Sequence, residues 1–154
     1  MMKYVLKTFD ELTKEELYDI ARHRQNVLII GQGNIFHDLD GRDNECLHLS
    51  AYDDDGMVGY SRIMPSATGL HGDAGAFGRL SVLEEKRKRG IGSELVRRSV
   101  ACLQDDLHEP KILISAMSYL EHFYNRLGFE RVGDLYFIEG VEHINMIYTG
   151  RTAQ

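Results

Sequence analysis

The sequence predicts an α/β (α+β mixed) chain whose central mixed, mostly antiparallel sheet is flanked by helices. Three observations predict it. Short runs rich in Val, Ile, Leu and Tyr recur along the chain, and stretches with apolar residues at helical spacing separate some of them. Turn chemistry at Asp53–Gly56 and at Glu139-Gly140 joins neighbouring runs as hairpins. The resulting order is β-α-β-β-β-α-β-α-β-β. A single domain over residues 1–149 with a short tail at 150–154 fits a chain of 154 residues.

Each element has its own signal. Residues 2–9 are a short β-prone run. Thr13 and Glu16 have the spacing of a capping box, and Leu17, Ile20, Ala21, Arg24 and Leu28 follow on one helical face, so a helix spans about 14–28. Residues 31–44, rich in Gly, Asn and Asp, read as a long loop of the kind that carries function in compact domains. CLHLSAY (46–52) and MVGYSRI (57–63) are strands, and a second loop covers Pro65 to Gly75 before a strand that ends near Val82. From Ile91, the residues Leu95, Val96, Val100, Cys102, Leu103 and Leu107 fill about half of a helical wheel, the pattern of a helix that covers a sheet. KILISAM (111–117) reads as a central strand parallel to its predecessor across that helix. Ser118 and Glu121 repeat the capping-box spacing before a helix that Gly128 ends, and strands at 129–137 and 142–148 close the chain.

The bulk properties narrow the function. The formal net charge is −6, so a general nucleic-acid surface is not expected. No apolar run reaches the ~18–20 residues of a membrane span, and the first residues lack the apolar core of a signal peptide. A cytoplasmic location is the expectation. Cys46 and Cys102 belong to no C-x-x-C pair and read as reduced core residues. The seven histidines are scattered without H-x-x-x-H spacing, and residues 38–43 lack the twelfth-position Glu of a calcium loop, so no metal is expected.

One stretch stands out against this acidic background. The strand AFGRLSV leads into Lys86, Arg87, Lys88 and Arg89, then Gly90 and Gly92 at the start of a helix. Glycines let backbone approach a ligand closely, and the unpaired N–H groups and dipole of a helix start favour an anion. The stretch predicts a phosphate-bearing partner. It lacks the Gly-Lys-Ser/Thr of a P-loop, which disfavours a nucleotide-binding protein of that type.

With these residues in view, the chain resembles the GNAT superfamily of N-acetyltransferases. The resemblance lies in the element order, the strand GRLSV, the turn Arg87-Lys88-Arg89-Gly90-Ile91-Gly92, and the segment Phe123-Tyr124-Asn125-Arg126-Leu127-Gly128-Phe129. Gln32, the run His37 to Asp43, CLHLSAY, Gly78-Arg79 and Gly140 to Ile144 are similar to the ElaA-type branch. That branch commonly has Glu before the Gln and Ala-Gln after the central strand; here Gly31 and Met117 stand in those places.

The resemblance implies acetyl-CoA as co-substrate and a primary amine of a small molecule or peptide as acceptor, with a monomer or homodimer as the assembly. It implies that the pyrophosphate sits on the N–H groups of Arg89, Gly90, Ile91, Gly92 and Ser93, with Arg87 and Lys88 nearby. The amide-like pantetheine arm would pair with the backbone of Leu80, Ser81 and Val82 as an added strand. It implies Tyr124 as the general acid, although the ring shares a face with Leu120, Phe123 and Leu127 and also reads as core. Gln32, Asp38, Asp40, Arg79 and His143 are candidate acceptor contacts. Arg79 cannot act as a base at neutral pH, which leaves Asp38, Asp40, Glu142 and His143 for that role. A non-catalytic acyl-CoA sensor is the alternative; it would keep the basic turn and need no Tyr124 hydroxyl. His48 reads as structural.

Overall fold

The computed structural model describes residues 1–152; the last residues of the expected tail, 153 and 154, lie outside them. The chain divides into two compact units, Met1–Met64 with Phe77–Ser99, and Pro65–Ala76 with the chain from Val100 onward.

The first unit holds a four-stranded sheet in the order β1-β2-β3-β4, formed by β1 (Lys3–Thr8), β2 (Leu47–Asp53), β3 (Gly56–Met64) and β4 (Ala76–Val82). β1 pairs with β2, and β2 with β3, both antiparallel. The hairpin between β2 and β3 turns at the Asp-Gly signal, and Lys86 Nζ ties that turn by ion pairs to Asp53 (2.8 Å) and Asp55 (2.9 Å). α1 (Lys14–Arg24) opens on the predicted capping box: Glu16 N donates to Thr13 Oγ1 at 3.1 Å and Thr13 N to Glu16 Oε1 at 2.8 Å. The predicted helix to residue 28 continues past Arg24, but in wider π-type turns over Gln25–Gly31.

β3 explains why this unit needs two helices. Alternate strand residues face opposite sides, and from Val58 to Met64 every one is buried. Ser61 meets Ser99 of α2 (Ile91–Ala101) at 2.8 Å between hydroxyl oxygens. Gly59, on the same side, lies close under α2: a Cβ would stand 3.0 Å from the Leu95 side chain and 3.3 Å from that of Ile91, so both would have to shift to admit it. Tyr60 and Arg62 point the other way, and the Arg24 guanidinium of α1 lies 5.7 Å from the Tyr60 ring centre.

The second unit holds a three-stranded antiparallel sheet in the order β5-β7-β6, from β5 (Leu113–Met117), β6 (Phe129–Ile138) and β7 (Val141–Tyr148). KILISAM therefore forms an edge strand of this sheet, where a central parallel strand was expected. Its parallel pairing is confined to a bridge between Gly75 and Ile112, closed by Gly75 N to Lys111 O and Leu113 N to Gly75 O, each 2.9 Å. An apolar run reports burial and leaves the choice of partner open. α3 (Glu121–Asn125) carries Tyr124. Ile114, Ala116, Phe129, Ile144 and Met146 are buried in this unit's core. β6 and β7 are joined through Glu139 and Gly140, both at positive φ (50° and 78°), the backbone that matches strand twist in a tight hairpin.

Both cysteines are buried and free, and burial pushes each thiol up to about 11. They pack as small apolar residues. Among the described residues no helix is long and apolar enough to cross a membrane.

Candidate functional site

β4 is an edge strand of the first unit's sheet, so one row of its backbone groups faces away from the ladder. Leu80, Ser81 and Val82 lie on this edge. After Val82 the chain makes a short turn at Glu84–Lys86, then passes through Lys88 at φ 64° and Gly90 at φ 82° into α2. Gly90 O accepts from Glu94 N at 3.0 Å, which places Ile91, Gly92 and Ser93 in the first helical turn. N–H groups of a first turn have no intrahelical acceptor, and the dipole adds positive potential there.

The four cations of this turn do different work. Lys86 is consumed by Asp53 and Asp55. Arg87 folds back, and its Nε donates to Val82 O at 3.1 Å. Lys88 and Arg89 remain exposed, with no ion pair among the described residues. One of the three strand carbonyls expected to receive a ligand is thus already engaged by Arg87.

β4 is also bent from within. Arg79 sits at φ 51°, a backbone shape costly for a residue with a side chain. Ser81 Oγ donates back to Arg79 O at 3.1 Å, and His23 Nε2 meets Ser81 Oγ at 3.1 Å. With the Ser81 hydrogen given to Arg79 O, His23 is the donor in the second bond. Burial lowers the His23 pKa, with the Ser81 contact opposing it, so the ring is held neutral here.

The bent strand delivers Arg79 to a cluster of six charges. Arg24 Nε donates to Asp38 Oδ2 at 2.9 Å, its Nη2 to Asp38 O at 2.7 Å, and its Nη1 to Asp43 Oδ1 at 2.7 Å. Arg62 reaches Asp40 through both terminal nitrogens, each at 2.9 Å, and Asp43 Oδ1 at 3.1 Å. Arg79 Nη2 donates to Asp38 O at 3.0 Å, while its Nε stands 2.9 Å from Asp38 Oδ1 as an ion pair without hydrogen-bond alignment. Three arginines from α1, β3 and β4 therefore hold three aspartates of one loop, and their formal charges cancel.

This balance sets the chemistry of the loop carboxylates. Partial burial of Asp40 opposes its ionisation, yet the Arg62 bonds, the Arg42 N–H and the Arg79 charge outweigh it and hold the carboxyl down to about 2. A group so acidic is a poor proton acceptor at neutral pH. Sequence reasoning singled out Asp38, Asp40 and Arg79 but missed Arg24, Asp43 and Arg62 as their partners. A signal was present: Arg24 interrupts the apolar stripe of α1, and Arg62 interrupts a buried strand. Gln32 ends the π-type segment and donates its N–H to Ile29 O. His48, buried between Tyr60 Oη (2.7 Å) and Asp43 O (2.9 Å), serves the same cluster.

In the second unit, Tyr124 packs edge-on against Phe123 (ring centres 5.0 Å apart) and Phe129 (5.8 Å), and only 5% of the residue is exposed. Burial raises the phenol's pKa, and Tyr119 adds to the effect. The second capping-box spacing does not form a cap. Ser118 Oγ instead donates to Glu142 Oε1 of β7 at 2.6 Å, and residues 118–120 make a tight turn before α3. A carboxylate across the sheet wins the hydroxyl from the helix start. His143 of β7 donates its Nδ1–H to Val141 O at 2.7 Å, and its Nε2 makes no hydrogen bond among the described residues. Among the described residues no group of three His, Cys, Asp or Glu side chains could hold a metal ion.

Residues 35–149 match the family described as the acetyltransferase (GNAT) domain. A UPF0039 protein of Synechocystis is 34% identical over 144 residues, covering 91% of this chain and 90% of that protein. An acyl-CoA N-acyltransferase from Pseudomonas aeruginosa has a similar structure, with a TM-score of 0.88, 25% identity, and coverage of 97% of this chain and 100% of that one. For Escherichia coli ElaA the TM-score is 0.85 and the identity 26%, again covering 97% of this chain and 100% of that one. These likenesses span both compact units, and the chain belongs to the GNAT acetyltransferase family, in its ElaA-like branch.

Proposed function

We propose that residues 1–149 act as one N-acetyltransferase domain that moves the acetyl group of acetyl-CoA to a primary amine of a small molecule or peptide. The observation that carries this reading is the backbone from Val82 to Ser93. An edge strand leads through a short turn at Glu84–Lys86 and two positive-φ positions into the first turn of a helix, with Lys88 and Arg89 exposed beside it. Such a path suits an amide-like arm ending in a pyrophosphate: N–H groups of Arg89 to Ser93 for the phosphates, the Leu80 to Val82 edge for the arm. The engaged Val82 carbonyl implies that Arg87 swings away, or that Leu80 and Ser81 provide the pairing.

In the reaction the neutral amine nitrogen attacks the thioester carbonyl, the C–S bond breaks, and the sulfur leaves as a thiolate that takes up a proton. The acceptor nitrogen loses a proton in the same cycle. Tyr124 is assigned as the donor toward sulfur. His143 and Glu142 are the candidates for the base, because the Arg62 bonds to Asp40 leave that carboxylate too weakly basic to take up a proton readily.

The test is calorimetric titration with acetyl-CoA, paired with a screen for acetyl-CoA consumption across amines, amino acids, polyamines and peptides. Saturable binding with turnover on at least one amine is expected. Tight binding with no turnover on any acceptor would replace the enzyme by a sensor, and absence of binding would remove the coenzyme altogether.

A further inference from the structure

One side of the β5-β7-β6 sheet carries a polar chain that no role assigned above uses. Ile114, Ala116, Ile144 and Met146 are buried on the core side, so their strand neighbours Ser115, His143 and Asn145 face the other way and are half-buried. Ser115 and Asn145 are directly opposite each other in the ladder, and Tyr136 of β6 is opposite His143. The Tyr136 hydroxyl lies between Ser115 and Asn145 and bonds to both, donating to Asn145 Oδ1 at 2.6 Å. Its ring is stacked on His143, with centres 6.0 Å apart and planes 28° apart. Three polar side chains from three strands are thus linked in the middle of a sheet face, where packing alone favours apolar pairs such as the neighbouring Leu113 and Ile147.

The direction of the chain follows from counting hydrogens. A phenol has one, and Tyr136 gives it to Asn145; the bond to Ser115 must therefore use the Ser115 hydrogen. Ser115 Oγ keeps lone pairs that can accept, and the Asn145 amide keeps two N–H groups that can donate. None of the three residues is charged. What completes this arrangement is a neutral group offering one N–H and one carbonyl oxygen a few bonds apart.

We propose that this face recognises the acceptor, and that the acceptor is an α-amino amide, the chemistry of a peptide N-terminus. Ser115 Oγ accepts from the amine nitrogen and the Asn145 amide donates to the adjoining carbonyl oxygen, while Tyr136 locks both in position. The inference rests on the acetyltransferase reading for the word acceptor, but its site lies wholly within the second unit. A polyamine, which has no carbonyl, leaves the Asn145 donors unused and is disfavoured.

The experiment compares L-alaninamide with 3-methyl-2-butylamine, an amine of similar shape without the amide, by calorimetry on the CoA-saturated protein. The wild type is expected to bind alaninamide at least about tenfold more tightly. Ser115→Ala, Asn145→Leu and Tyr136→Phe should each reduce that preference to about threefold or less, with the affinity for CoA unchanged. Tyr136→Phe keeps the ring on His143 and carries the test should the other variants fold poorly. Equal binding of both amines by the wild type, or a full preference retained in Tyr136→Phe, overturns the proposal. Discrimination without acetyl-CoA turnover would sink the enzyme reading and leave this site standing; turnover without discrimination does the reverse.

Discussion

Arg24 holds Asp38 by two different groups at once: Nε meets the carboxylate at 2.9 Å and Nη2 meets the main-chain oxygen at 2.7 Å. One contact recognises the side chain and the other fixes the path of the loop. Arg24 is itself only 1% exposed, and its third nitrogen reaches Asp43, so the last residue of α1 secures both ends of the segment from 38 to 43. Burying a charge is costly unless partners surround it, and removing one partner leaves the others stranded.

Arg24→Met should therefore cost about 3–5 kcal/mol, the range for breaking a buried pair. For a domain of this size the thermal midpoint would fall by about 6–20 °C. Arg24→Lys keeps the charge but loses the planar fork and should lie between the two. Differential scanning calorimetry decides it. A Met variant melting within 2 °C of the wild type, on the order of 1 kcal/mol, would mean that the cluster contributes nothing net.

The acid limb of stability has a defined sign. Asp40 has a folded-state pKa of about 2 against an ordinary 3.8, so it remains ionised in the fold after its unfolded counterpart takes a proton. Its contribution is fully present above about pH 4 and is lost as the pH falls toward about 2. Asp40→Asn should be less stable than the wild type at pH 6 by about 1–2 kcal/mol. Urea melts of the two proteins should converge between pH 4 and pH 2; a constant gap would show that the carboxylate charge is not what Arg62 reads.

How much of this was legible depended on sequence distance. The Thr13–Glu16 cap was readable because both partners lie within one turn, and the helix start at Ile91 because its glycine signals are adjacent in sequence. The same local rule misled at Ser118, where Glu142, 24 residues away, takes the hydroxyl. The Arg24–Asp38 contact spans 14 residues and Arg62–Asp40 spans 22, so only the odd placement of two arginines among apolar neighbours hinted at them. The Ser115–Tyr136–Asn145 chain left no mark, since three ordinary strand residues meet only once the register is known. Nor did any pattern foretell the positive φ of Arg79, which Ser81 and His23 support from β4 and α1.

Gly90 offers a sharp test of the phosphate turn. At φ 82° with nothing within 4 Å of an added Cβ, the position disfavours a side chain by conformation rather than by space. Gly90→Val must move the backbone or store about 1–2 kcal/mol of strain. Acetyl-CoA affinity should drop at least about tenfold, because the N–H groups that follow lose their aim. Gly72→Val imposes similar strain at φ 63° outside residues 80–93 and serves as the control. If both variants bind acetyl-CoA alike, the turn is not the anion site.

Tyr124→Phe separates chemistry from binding. The ordinary phenol pKa of about 10 already exceeds the ~8.5 of a free thiol, and burial raises it further. Complete transfer of its proton to the departing sulfur is uphill, so the hydroxyl helps by donating a hydrogen bond as charge gathers on sulfur in the transition state. The phenylalanine ring keeps the edge-on contacts with Phe123 and Phe129, so stability should change by no more than about 1 kcal/mol. Turnover should fall about 100-fold, with acetyl-CoA affinity within about twofold of the wild type. Because the phenol remains protonated across the neutral range, the deficit should be the same at pH 6.5 and pH 8.5. Stopped-flow detection of thiol release on a working amine measures it. Unchanged turnover would strip Tyr124 of the donor role and leave its ring as packing, whereas a matching loss of coenzyme affinity would mean that the hydroxyl binds acetyl-CoA rather than easing the departure of sulfur.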